Sequence, residues 1–99
     1  MTERIRRSSG NVFKDLGFPP DEAAHLLIRT DLMLEIKRIL KERRLTQAKA
    51  AKLLGVSQPR VSDLVRARID LFSIDTLVAL LARLGVSVSL RTRRSRKVA

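Results

Sequence analysis

The sequence predicts a mainly helical single domain of five short helices followed by one C-terminal β-strand. Three observations predict it. Apolar residues recur at helical spacing through most of residues 21–84, hydroxyl residues and glycines stand at the expected helix ends, and only residues 86–90 alternate apolar with polar. At 99 residues the chain can bury one modest core without a metal or disulfide, and it has no cysteine for either. The expected organisation is a flexible basic N-terminus over residues 1–8, a folded domain over 9–90 and a disordered basic tail over 91–99.

Residues 1–8, with Arg4, Arg6 and Arg7, read as a frayed end more readily than as a contacting arm. Next, Val12, Phe13, Leu16 and Phe18 lie among Gly10, Gly17, Pro19 and Pro20, the composition of a short or irregular turn segment. These side chains are expected to pack on the chain's own core, the alternative being a partner-binding surface. Asp21 suits a helix cap, and Ala24, Leu27, Ile28, Leu32, Ile36, Ile39 and Leu40 keep a helical period. Thr30 and Asp31 can cap a second helix, so one long helix and two stacked ones are both open. His25, the single histidine, has no Cys, second His or carboxylate pair near it in sequence, which points to packing or surface rather than catalysis.

The most informative stretch is residues 45–65, LTQAKAAKLLGVSQPRVSDLV. Thr46 caps a helix that Gly55 ends, and Ser57 caps a second helix over residues 58–67 that tolerates Pro59 in its first turn. The connection is about three residues, as in a helix-turn-helix. Small Ala51 permits a close crossing, Gly55 supplies a positive φ, and Val56, Val61, Leu64 and Val65 fall where the two helices must pack. The second helix then turns Gln58, Arg60, Ser62, Asp63 and Arg66 outward.

In such a motif the second helix enters the DNA major groove. Gln58 can pair bidentately with adenine, Arg60 with guanine or a phosphate, and Asp63 can accept from cytosine, although a solvated or Arg66-paired aspartate is an equal alternative. Ser57 and Ser62 complete the expected base-reading set. Thr46 and Gln47 open the first helix, where backbone N–H groups favour a phosphate, and Lys49, Arg66 and Arg68 join them as phosphate contacts. The plain alternative is an αα-hairpin with a solvated outer face.

Charge favours the DNA reading. The formal net charge is +11; residues 37–68 hold ten Lys and Arg against two acids, and residues 91–97 hold five against none. The rest of the chain is slightly acidic, so the positive charge sits on the motif and the tail, as phosphate binding requires. Only three aromatics, all Phe, argue against base-stacking recognition of single strands or RNA. Ile69 to Phe72 make a connecting loop. Ser73 then caps a last helix with a stripe of Ile74, Leu77, Val78, Leu81 and Leu84, and Gly85 ends it. Val86, Val88 and Leu90 alternate with polar residues as a half-buried strand, which must pair with a symmetry mate or another protein.

At residues 45–64 the sequence resembles the small Cro/repressor-like (XRE-type) regulators. The flanks SGNVFKDLGFPPDEAAHL and FSIDTLVALLARLGVSVSL resemble one subfamily of HigA-like antitoxins, so the likeness covers residues 9–90. It implies a lambda-repressor-like five-helix domain acting as a homodimeric repressor on an inverted-repeat operator. It also implies the antitoxin role in a type II toxin–antitoxin pair, neutralising a small toxin that cleaves mRNA; a stand-alone or phage-type repressor is the alternative. Ala67 departs from the pattern, since these proteins often carry glycine there. No enzyme, metal or cofactor is expected, because nothing resembles a catalytic triad or a cluster of metal-binding carboxylates. No apolar run approaches a membrane span or a signal peptide, so a cytoplasmic, nucleoid-associated protein is expected.

Overall fold

A computed structural model describes residues 11–94, and among them every regular element is helical. In chain order these are α1 (Val12–Asp15), α2 (Pro20–Glu42), α3 (Gln47–Leu54), α4 (Gln58–Val65), a single 3-10 turn (Ile69–Leu71) and α5 (Ile74–Arg83). Five α-helices are present, although by a different division from the one expected. α2 is a single helix of 23 residues, and the segment read as an irregular turn supplies the one-turn α1.

The unbroken α2 has a local cause. Thr30 does not cap a new helix; its hydroxyl donates to the Leu26 carbonyl one turn back, at 2.9 Å. The start also differs by two residues, with Pro19 and not Asp21 at the cap position. Pro20 occupies the first turn, where its missing N–H costs nothing, and Asp21 lies inside that turn, favourably placed for the helix dipole. The Asn11 side chain caps α1 by accepting from the Phe13 N–H and ties it to α2 by donating to the Ala23 carbonyl at 3.2 Å.

α2 is the spine against which α1, α4, the 3-10 turn and α5 pack, while α3 packs on α4 and α5. Met33, Ile36, Ile39 and Leu40 from α2 meet Ala50, Ala51 and Leu54 of α3, Val61 and Leu64 of α4, Phe72, and Leu77, Leu80 and Leu81 of α5 in one core. The N-terminal apolar residues mostly stay outside it. Phe13 is half-buried and stands edge-on to Phe18, but Val12 and Leu16 are 55% and 70% exposed and no α1 residue is buried.

The expected C-terminal strand is absent among the described residues. Residues 86–90 lack the inter-strand hydrogen bonds that define a ladder, and no other described residue lies in a strand. Val86, the strand's first expected residue, donates its N–H to the Leu81 carbonyl at 2.9 Å as part of the α5 cap. Val88 and Leu90 are exposed, Leu90 at 84%. The expectations for residues 1–8 and for the tail beyond residue 94 lie outside the described residues.

Candidate nucleic-acid interface

α3 and α4 form the helix-turn-helix as their local chemistry dictates. Thr46 accepts from the Lys49 N–H at 3.1 Å and Ser57 from the Arg60 N–H at 3.3 Å, so both helices begin on hydroxyl caps. Gly55 has φ +72 and reverses the chain between them. Ala51 is buried at the crossing, Val61 and Leu64 are buried beneath it, and Val56 and Val65 pack against its edge. Arg83 of α5 braces the turn by donating to the Leu53 carbonyl at 3.2 Å, with its guanidinium lying beside Gly55.

Of the base-reading candidates, Gln58 is the first residue of α4 and fully presented, with no hydrogen bond to hold its amide. Ser57 is exposed but occupied as the cap, while Ser62 and Asp63 are half-buried along the helix flank. Arg60 is engaged elsewhere. Its guanidinium lies 4.0 Å from the centre of the Phe72 ring and donates to the Leu71 carbonyl at 3.0 Å, which fastens α4 to the following loop.

The phosphate candidates Thr46, Gln47, Lys49, Arg66 and Arg68 are all exposed. Arg66 is the C-cap of α4, and Arg68 stands 3.7 Å from Asp70. Arg38 is drawn away from this belt by Glu35 and Glu42, which accept from its guanidinium. The hydrogen bond with Glu35, and then the charges of both acids, raise the Arg38 pKa further above its ordinary value.

One feature escaped the sequence reading. An open cleft of about 350 Å³ lies where α2 meets α3 and α4, with Gln47 on its rim and Lys37 and Lys41 on the α2 side. The i, i+4 spacing of the two lysines is its only trace in the sequence. Among the described residues no group of three metal-binding side chains occurs, and no helix is long and apolar enough to cross a membrane.

A helix-turn-helix domain family matches residues 12–93. Among solved structures, a chain titled "Putative XRE Family Transcriptional Regulator" is similar with a TM-score of 0.70 at 29% identity, over 79% of this chain and 88% of that one. No curated protein matches the chain.

Proposed function

The chain belongs to the helix-turn-helix domain family, and from that premise we propose that it is an XRE-type transcriptional repressor that binds double-stranded DNA as a homodimer. The observation that carries this reading is the free Gln58 amide on the first turn of α4, beside a helix whose own first turn exposes Thr46, Gln47 and Lys49. Gln58 reads a base edge, aided by Ser57, Ser62 and Asp63. Arg60 chiefly holds the reading helix in place through the Phe72 ring and the Leu71 carbonyl. Thr46, Gln47, Lys49, Arg66 and Arg68 grip phosphates and set the register.

One such helix reads only a few base pairs. A two-fold dimer placing two of them about 34 Å apart would therefore recognise an inverted repeat. Bound at its own promoter in the cytoplasm, it blocks polymerase. We read the protein further as the antitoxin of a type II pair. That reading is supported by the likeness of its flanks to HigA-like antitoxins and by the exposed Val12 and Leu16 on α1, which packs chiefly on α2.

Two experiments test the two levels. Selection of duplexes from a random library should yield an inverted repeat, and failure to enrich any sequence would refute the reading helix. Affinity purification from native cells should recover a small protein that cleaves mRNA when freed. Recovery of only the chain itself and its promoter would leave a stand-alone repressor.

A further inference from the structure

We propose that the cleft between α2, α3 and α4 is an effector site for a small amphipathic anion, an aliphatic chain ending in a carboxylate, and that its occupancy releases DNA. The regulatory half of this inference rests on the DNA-binding reading above. The cleft's volume of about 350 Å³ is in the range of small-molecule sites, roughly 300–1,000 Å³.

Its lining selects the ligand. Leu40, Ala50 and Val61 form a buried apolar floor, with half-buried Leu45 and Val65 as walls, and this surface favours hydrocarbon over a charged group. The rim is cationic. Lys37 and Lys41 stand one turn apart on the same face of α2, both exposed, and neither forms an ion pair among the described residues. Arg38, on the neighbouring face, has both nearby acids, and no Asp or Glu lines the cleft. A bare phosphate would leave the floor in water, and a neutral hydrocarbon would leave the lysines without a partner. An alkyl carboxylate satisfies both.

The coupling to DNA follows from the third rim residue. Gln47 opens α3 and is a proposed phosphate contact, so a carboxylate at this rim shares that donor and adds a negative charge where a phosphate would approach. The two ligands therefore compete.

The test uses the full chain with sodium octanoate, below its micelle concentration, as probe and sodium acetate as control. Acetate has the same head and charge without the tail. Amide NMR shifts should report saturable octanoate binding centred on Lys37, Lys41, Gln47 and Val65. With octanoate at ten times its dissociation constant, the dissociation constant for a duplex selected by the protein should rise about elevenfold, while acetate leaves it unchanged. The exposed double variant Lys37→Gln/Lys41→Gln should keep its helical circular dichroism and lose the octanoate shifts. Octanoate shifts that do not saturate, or that persist in the double variant, would overturn the site. Saturable binding with unaltered DNA affinity would overturn the regulation, and an equal response to acetate would overturn the role of the alkyl chain and leave the lysines as ordinary anion contacts. A chain that binds no duplex would refute the repressor reading, while the NMR titration would still decide the site.

Discussion

Replacing Ala67 by glycine should make the protein more stable. α4 ends in a Schellman cap, in which the Ala67 N–H donates to the Leu64 carbonyl and the Arg68 N–H to the Asp63 carbonyl, both at 3.0 Å. This closure holds Ala67 at φ +55. A left-handed conformation costs an L-residue about 1–2 kcal/mol. Glycine avoids that cost but gives the unfolded chain back roughly 0.4–1 kcal/mol of conformational freedom. Because Ala67 is exposed, little methyl burial is lost. The net gain is about 0.5–1 kcal/mol, or about 3–6 °C in Tm for a domain of this size. Urea denaturation with an unchanged m-value is the assay. Two reverse substitutions calibrate it. Gly85→Ala places a methyl in open space at φ +82 and should cost only the backbone strain. Gly55→Ala should cost more, because the new Cβ would lie 3.0 Å from the Arg83 guanidinium carbon and displace the brace on the turn. An Ala67→Gly protein no more stable than the parent would refute the cap argument.

Other substitutions probe the interface. Gln58→Ala should cost about 1–3 kcal/mol at a single base pair and relax preference there, measured on a panel of operator variants; unchanged binding to all of them would remove α4 as the reading helix. Arg60→Ala should lower Tm through loss of the Phe72 contact, worth about 0.5–2 kcal/mol, and weaken all duplexes alike. Relaxation at one base pair would instead return Arg60 to the readers. Lys49→Ala should make the slope of log affinity against log salt shallower by about 1. Leu16→Asp, at a 70% exposed position, should shift stability by less than about 0.5 kcal/mol and spare DNA binding while preventing co-purification of the proposed toxin partner.

The parts of the fold legible in the sequence are those written by one residue's own chemistry. Thr46, Ser57 and Ser73 each cap the helix expected of them, because a hydroxyl before an apolar-periodic run has few better uses. Gly55 and Gly85 mark two helix ends for the same reason. The ends of α2 and α4 have the same left-handed geometry, but Arg44 and Ala67 occupy it, at φ +53 and +55, and neither residue type announces a stop. Thr30 was ambiguous because its hydroxyl serves a cap or a back-bond equally well, and the packing of α2 along the core decides between them. The strand over residues 86–90 failed for a different reason. Alternation tells which side chains share a face but supplies no pairing partner, and the first N–H of that run was needed to close α5.

The candidate site shows the same limit in its charges. Counting bases points to the candidate interface, since the field of a cluster survives whatever each cation touches. It could not say which cations are free. Arg43 donates to the Leu84 carbonyl, Arg60 to the Leu71 carbonyl, and Arg38 is held by two glutamates. Removing these three from the ten bases of residues 37–68 leaves seven, namely Lys37, Lys41, Arg44, Lys49, Lys52, Arg66 and Arg68. The division follows residue chemistry: every cation committed to a carbonyl or carboxylate is an arginine, whose planar fork suits fixed acceptors, and every lysine remains open. The arginines thus tie α4 and α5 to the rest of the fold, outside the reach of any charge count, while the lysines carry the mobile charge that phosphates and other anions can meet.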